Sequence, residues 1–207
     1  MQPIIVSTPT DFKLHTAKLE ATKYWFVDMD GTLLDTESYH FKSIVKVFDH
    51  FGRAKAPSAE QIIGMTDEDI FNHYLGDSES VDWKKLKMRF LSEQVEASSP
   101  DDFYRSDLLE FFEYWHKKGK TLTLVTASTR AEVELIFKRT PFAKIFQHTI
   151  SNDDVYPSKP SPSPYLAAMR ALRAFNKQCL VIEDSPTGLQ SATSIVSLVY
   201  HAQWYAH

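Results

Sequence analysis

Two aspartates separated by one residue stand at the end of an apolar run in this 207-residue sequence. Asp28 and Asp30 follow the run Tyr24–Val27, and Gly31 after them permits the chain to bend. Two carboxylates this close repel one another unless a cation joins them, and an oxygen-only ligand set favours Mg²⁺ over Zn²⁺. The pattern indicates a magnesium site, although an Asp-Gly pair is also typical of plain hairpin turns.

Three further polar clusters follow other apolar runs or lie in a loop. They are Thr126-Ala127-Ser128, Ser158-Lys159-Pro160 and Glu183-Asp184-Ser185. Hydroxyls and amides at the start of a helix can hold a phosphate, a lysine can neutralise one, and more carboxylates can hold a cation. Each cluster alone has an ordinary alternative, such as helix capping for the first and a solvated lysine for the second. Together, at one sheet edge, they favour a chemical role.

The elements that must position these clusters alternate along the chain. Short apolar runs predict strands at 24–27, 122–125, 179–182 and 196–200, with a further short strand at 148–150. Apolar stripes at helical spacing, such as the one from Leu108 to Trp115, lie between them. This alternation predicts an α/β fold, a Rossmann-like doubly wound parallel sheet whose ligands bind at the carboxyl ends of the strands.

The stretch from residue 36 to residue 103 has no strand-like run and shows several helical patterns in succession. We therefore predict an α/β core formed by residues 1–35 and 104–207, with an inserted all-helical cap formed by residues 36–103. A cap inserted after the first strand would cover the carboxyl ends of the sheet. Residues 1–23 carry no chemical signal.

Composition narrows the range of partners. Lys plus Arg number 23 against 27 Asp plus Glu without a basic run, so we expect a small-molecule ligand, no nucleic acid and no membrane. A single cysteine, Cys179, fits a reducing compartment, and no basic region with a following apolar stretch marks the start of the chain. We expect a cytoplasmic monomer.

Four motifs, in order, resemble those of the haloacid dehalogenase (HAD) superfamily. They are DMDGTLLDTE from Asp28, VTAS from Val125, SKPSPSPY from Ser158 and VIEDSPTG from Val181. The resemblance spans Tyr24 to about Ala192 and is strongest to the β-phosphoglucomutase-like and phosphatase branch, which carries a four-helix cap. It implies a Mg²⁺-dependent enzyme that cleaves phosphate esters.

The resemblance also implies roles for individual residues. Asp28 would be the nucleophile that becomes an aspartyl-phosphate, and Asp30 the general acid and base. Asp28, the backbone carbonyl of Asp30, and Asp184 would bind Mg²⁺, with Glu183 beside the metal. Lys159 would screen the phosphate charge, while Thr126 and the amides of Ala127 and Ser128 would hold its oxygens.

Two places in the predicted cap bear on the substrate. His40 aligns with a histidine of the mutases and many related phosphatases, but it is equally consistent with the polar face of a helix. Gly64-Met65-Thr66-Asp67 resembles the mutase loop Gly-x-Ser-Arg, with Thr66 at the serine position and Asp67 replacing the arginine that grips a second phosphate.

The sequence thus leaves three functions open. The leading one is a Mg²⁺-dependent phosphatase that hydrolyses a small phosphorylated metabolite. A sugar-phosphate mutase is the first alternative, and Asp67 argues against it. An inactive relative that binds a ligand or partner is the second, and the intact Asp28, Asp30, Lys159 and Asp184 argue against that.

Overall fold

The computed structural model describes residues 2–52, 56–62, 65–76 and 83–205. Gly64, singled out above, lies outside these residues. The chain forms two compact units, one made of Met1–Asp35 with Pro100–His207 and the other of Thr36–Ser99.

The first unit contains a six-stranded sheet in which every pairing is parallel. Its strands are β1 (Ile4–Val6), β2 (Tyr24–Val27), β3 (Thr121–Val125), β4 (Phe146–Ile150), β5 (Cys179–Glu183) and β6 (Val199–Ala202), in the spatial order β1-β6-β5-β2-β3-β4. The predicted α/β fold with a Rossmann-like parallel sheet is confirmed.

Helices flank this sheet. They are α1 (Thr16–Ala21), α6 (Ser106–Lys117), α7 (Arg130–Leu135), α8 (Ser163–Ala171) and α9 (Pro186–Thr193), with 3₁₀ helices at Pro9–His15, Pro100–Phe103, Phe137–Arg139, Pro141–Lys144, Asn152–Asp154 and Asn176–Gln178. The core between the layers contains Phe26, Val181 and Tyr165, each fully buried. Strands buried on both faces explain the unbroken apolar runs in the sequence.

The strand register brings the polar clusters together. Val27 at the end of β2 pairs with Leu124 of β3 on one side and with Ile182 of β5 on the other. The residues that follow these three strands therefore leave the sheet at the same edge, next to one another.

Two strands at one end of the sheet differ from the prediction. The last strand begins at Val199, not Val196; Val196 is apolar because it packs into the core after α9 rather than because it pairs in the sheet. The strand Ile4–Val6 was not predicted at all. It pairs in parallel with β6 and forms the edge of the sheet on that side.

The second unit is helical in its described part, as the helical patterns over residues 36–103 predicted, but Pro100–Phe103 belongs to the first unit. Its helices are α2 (Glu37–His50), α3 (Ala59–Ile62), α4 (Asp67–Leu75) and α5 (Trp83–Ala97). Ile44, Val47 and Phe48 of α2 pack with Phe71, whose ring stacks on Trp83 with centroids 4.3 Å apart. Its assignment as a cap stays a prediction. No helix in the described ranges of either unit is long and apolar enough to cross a membrane.

We predict that Phe12 is needed for the stability of the first unit. Its side chain is 1% exposed and stacks on Phe111, with ring centroids 4.6 Å apart. Phe12→Ala should lower the free energy of unfolding by about 3–5 kcal/mol because it leaves a cavity in the core. Leu14→Ala, at a side chain 86% exposed, should change it by less than about 0.5 kcal/mol. Equal effects in urea titrations would contradict this packing.

Candidate active site

Lys159 connects the two acidic motifs. Its ammonium group donates to Asp28 Oδ1 at 2.6 Å, to Glu183 Oε1 at 2.5 Å and to the carbonyl of Val125 at 2.9 Å. Asp28, Glu183 and Lys159 are 7%, 0% and 8% exposed. The ammonium group of Lys159 thus links Asp28 after β2, Val125 at the end of β3 and Glu183 at the end of β5. The strand ends were expected to meet at this edge of the sheet.

Glu183 is held by donors on both of its oxygens. Oε1 also accepts from the Tyr165 hydroxyl at 2.9 Å, and Oε2 accepts from the amide of Asp184 and from the amide and hydroxyl of Ser185. A Cβ at Gly188 would lie within about 2 Å of this carboxylate, so only glycine fits at the start of α9. Because its oxygens are already engaged, Glu183 is suited to position its neighbours.

Tyr165 is a site residue that the sequence reasoning missed. Its spacing to Met169 and Leu172 is that of an apolar helix face, and its ring is buried in the core. Its hydroxyl nevertheless donates to Glu183, and Lys159 Nζ lies 5.3 Å from its ring centroid. A tyrosine on an otherwise apolar helix face, six residues after the motif lysine, was the available signal.

Asp184 is placed by the loop that follows β2. Thr32 Oγ1 donates to Asp184 Oδ1 at 2.7 Å. Gly31 has a φ of +76°, and a Cβ there would lie 2.3 Å from Asp184 Oδ2. Glycine is therefore required twice over at this position, for the left-handed backbone and for the approach of the carboxylate.

Asp30 contacts the hydroxyl cluster after β3. Ser128 Oγ donates to Asp30 Oδ2 at 2.6 Å, and the Ser128 amide donates to Thr126 Oγ1 at 2.9 Å. Asp30, Thr126 and Ser128 are thus brought together, and Ala127 lies between the last two in the chain. The Ser128 amide, expected to face a phosphate, is already used by Thr126, whose hydroxyl keeps a proton to donate.

The arrangement fits a hard divalent cation. Asp28, Glu183 and Asp184 each place a carboxylate oxygen within 4.8 Å of the others, and all the side-chain ligands in this group are oxygens. The carboxylate of Asp30 is not part of this group, and the role of its backbone carbonyl as a metal ligand stays a prediction.

Burial shifts the protonation equilibria of these groups. Burial raises the pKa of Asp28 well above its usual value; Lys159 opposes the shift, while Glu183 and Asp184 reinforce it. Burial alone would lower the pKa of Lys159, but Asp28 and Glu183 outweigh it and raise that pKa. Burial and the charge of Glu183 raise the pKa of Tyr165, so its hydroxyl remains a donor.

His40 and Thr66, the predicted substrate contacts of the cap, belong to the helical unit. Thr66 caps α4: it accepts from the Asp69 amide at 3.2 Å and donates to the Asp69 carboxylate at 2.7 Å. Nδ1 of His40 lies 3.5 Å from Nζ of Lys87, and Lys87 forms an ion pair with Asp67. The negative charge of Asp67 is therefore balanced by the ammonium group of Lys87.

The fold and this site define a Rossmann-like α/β protein with an acidic site at the carboxyl ends of its central strands. The sequence model of the haloacid dehalogenase-like hydrolases matches residues 26–196. The chain belongs to this family of hydrolases, as the four motifs predicted.

Individual relatives agree with this assignment. The chain is 26% identical to the fructose-1-phosphate phosphatase YqaB of Escherichia coli, covering 80% of this chain and 88% of that protein. It is also 26% identical to a phosphorylated carbohydrates phosphatase of Thermotoga maritima, covering 81% and 78%. The crystal structure of CbbY from Rhodobacter sphaeroides in complex with phosphate superimposes with a TM-score of 0.76 at 22% identity, covering 90% and 89%, a likeness of fold.

We predict that Lys159→Met destabilises the metal-free protein in a pH-dependent way. Without the lysine, the already raised pKa of Asp28 rises further, so ionising this buried carboxyl opposes folding above its unfolded pKa of about 3.9. In a chelating buffer we expect a loss of about 3–5 kcal/mol at pH 7.5. The loss should be smaller at pH 5, because a carboxyl with a raised pKa is protonated more as the pH falls.

Lys138→Met is the matched control. Lys138 Nζ lies 3.6 Å from Glu134, and both side chains are more than half exposed. Its removal should change the free energy of unfolding by less than about 1 kcal/mol at either pH. If Lys159→Met lowers the free energy of unfolding by the same amount at both pH values, the proposed electrostatic coupling of Asp28 to Lys159 is wrong.

Proposed function

We propose that this protein is a Mg²⁺-dependent phosphatase that hydrolyses small phosphorylated metabolites through a phosphorylated Asp28. The observation that carries the proposal is the buried Lys159 shared by Asp28 and Glu183 at the carboxyl ends of the central strands. A carboxylate can attack a phosphate only if cations reduce their mutual repulsion, and this site is built to hold such cations.

The residues divide the chemistry between two steps. In the first, an Asp28 carboxylate oxygen attacks phosphorus, the bond to the ester oxygen breaks, and Asp30 gives its proton to the leaving alcohol. In the second, Asp30 takes a proton from the water that attacks phosphorus, which releases phosphate and restores Asp28. The Ser128 hydroxyl holds Asp30 in place for both transfers.

The remaining groups hold the charges in position. Asp28, the carbonyl of Asp30, and Asp184 would hold Mg²⁺, which supplies positive charge against the phosphate oxygens when bound. Lys159, from the Ser158-Lys159-Pro160 cluster, supplies a second positive charge, and Thr126 with the Ala127 amide offers hydrogen-bond donors to the phosphate. Glu183 and Tyr165 keep Lys159 in place.

Carbohydrate monophosphates are the proposed substrate class. The support is that two relatives covering most of this chain are named as phosphatases of fructose 1-phosphate and of phosphorylated carbohydrates. We propose that the helical unit, predicted as residues 36–103, serves as a cap that excludes water and contacts the substrate through His40 and Thr66. Cytoplasmic location and a monomeric state stay predictions from the sequence.

Hydrolysis is favoured over mutase chemistry by the ion pair of Asp67 and Lys87. A mutase must grip a second phosphate, which requires cations available to it. Lys87 is 4% exposed and its charge is paired with Asp67, at the position where mutases carry an arginine. Within the described part of the helical unit, position 67 therefore carries a carboxylate neutralised by Lys87, where a mutase carries a positive charge.

We predict phosphate release without isomerisation. A panel of hexose, pentose and triose monophosphates should release phosphate in the presence of Mg²⁺, and a chelator should remove the activity. Hexose 1-phosphate incubated with a hexose bisphosphate primer should not convert to the 6-phosphate, as followed by ³¹P NMR. Efficient conversion would overturn the assignment as a phosphatase, and no phosphate release from any sugar phosphate would overturn the substrate class.

We predict that Asp28→Asn and Asp30→Asn have different effects on turnover and on Mg²⁺ binding. Asp28→Asn should abolish turnover and weaken Mg²⁺ binding, because an amide neither attacks phosphorus nor balances the cation. Asp30→Asn should lower kcat by about 10²–10⁴-fold, because proton transfer is lost while its backbone carbonyl survives. Steady-state kinetics and Mg²⁺ titration by calorimetry measure both effects.

Two results would contradict these roles. The proposed mechanism fails if Asp28→Asn retains turnover with wild-type protein removed from the preparation. The role of Asp30 as general acid fails if Asp30→Asn slows release of the alcohol in a single turnover as much for an ester with a good leaving group as for a sugar phosphate, because a good leaving group needs no proton.

A further inference from the structure

The C-terminal segment Gln203–Tyr205 makes hydrogen bonds to the loop that carries the first acidic motif. Trp204 Nε1 donates to the carbonyl of Thr32 at 2.7 Å, and the Tyr205 hydroxyl donates to the carbonyl of Leu33 at 3.1 Å. Each bond joins residues 172 positions apart in the chain. Two consecutive backbone carbonyls of the loop are thus held by side chains from the end of the protein.

This segment is itself fixed on both sides. The Gln203 amide donates to the carbonyl of Val6, and Arg105 Nη1 donates to the carbonyl of Trp204 at 3.1 Å. The indole of Trp204 is buried, with its ring centroid 6.2 Å from that of Phe12. The N-terminal strand and the 3₁₀ helix after it therefore help to set the position from which Trp204 reaches the loop.

The loop held in this way controls the acidic site directly. Thr32, whose carbonyl accepts from Trp204, donates through its own hydroxyl to Asp184 Oδ1. Gly31, one residue earlier, lies against the Asp184 carboxylate. A displacement of Thr32 and Leu33 would therefore change the distance between Asp184 and the Asp28–Asp30 motif.

We propose that Trp204 and Tyr205 are positioning residues, which keep the loop from Asp28 to Leu34 in the geometry that the metal and phosphate site requires. The inference rests on the proposed function, because the site whose geometry they maintain is the proposed one. Neither residue belongs to the four motifs, and neither touches the acidic side chains in the bonds described here.

The test compares variants that remove one donor each. Tyr205→Phe removes only the hydroxyl, and Trp204→Phe keeps an aromatic ring while removing the indole N–H. Tyr200→Phe is the matched control, because Tyr200 is buried against Phe12 in the same aromatic cluster. Its hydroxyl has no hydrogen-bond partner among the residues that the structure describes.

Amide hydrogen exchange in metal-free buffer gives the first measurement. Gly31, Leu33 and Leu34 donate their amides to carbonyls within the loop, so their exchange reports loop opening. Each positioning variant should exchange these amides about 3–10-fold faster than wild type, the effect of losing one hydrogen bond. Tyr200→Phe should not change them. Unchanged exchange in both positioning variants would overturn the proposal.

Mg²⁺ binding without substrate gives the second measurement. A loop that opens more often leaves fewer molecules competent to bind, so the dissociation constant from calorimetry should rise about 3–10-fold in Tyr205→Phe and Trp204→Phe. Activity at saturating Mg²⁺ should recover most of the loss, whereas the control should match wild type throughout. An unchanged Mg²⁺ affinity in the variants, with wild type binding the ion, would overturn the proposal.

The two measurements separate this inference from the proposed function. If wild type neither binds Mg²⁺ nor releases phosphate, the proposed function fails, and the exchange experiment alone then decides whether Trp204 and Tyr205 hold the loop. If wild type is active and binds Mg²⁺ while both variants match it in exchange and affinity, the proposed function stands and the positioning role fails.

Discussion

One buried lysine determines how the acidic site can exist. Asp28 and Glu183 lie in the interior, where an unpaired carboxylate would cost several kcal/mol, and Lys159 is shared between them. The parallel pairing of β2 with β5 places Asp28 and Glu183 at one edge of the sheet, and Lys159 also donates to the carbonyl of Val125 at the end of β3. The same charge that permits burial is the one that the proposed phosphate chemistry would use.

The carboxylates around Lys159 lie so close to the backbone that two neighbouring positions must be glycine. Gly31 lies against Asp184 and Gly188 lies against Glu183, and at both positions a Cβ would overlap a carboxylate oxygen. The loop after β2 and the start of α9 are therefore shaped by the site as much as by the fold. In the helical unit a similar principle applies, since the buried ammonium group of Lys87 is balanced by Asp67.

Much of the core could be predicted because its signals are local. Strands buried on both faces appear as short unbroken apolar runs, so β2, β3 and β5 were located to within a residue or two. The polar clusters directly after them could be assigned to one edge because parallel strands end together. Asp67 shows where such reasoning stops, because its ion pair with Lys87, twenty residues away on another helix, left no pattern in the sequence.

The sequence by itself determined the fold class, the family and the identity of the residues that meet around Lys159. Only the tertiary structure decided how distant parts of the chain meet. The Tyr165 hydroxyl donates to Glu183, β1 pairs with β6, and the Trp204 indole donates to the carbonyl of Thr32. The physical reason is that periodicity records which face of an element is buried, whereas a hydrogen bond across 172 residues depends on how distant elements pack.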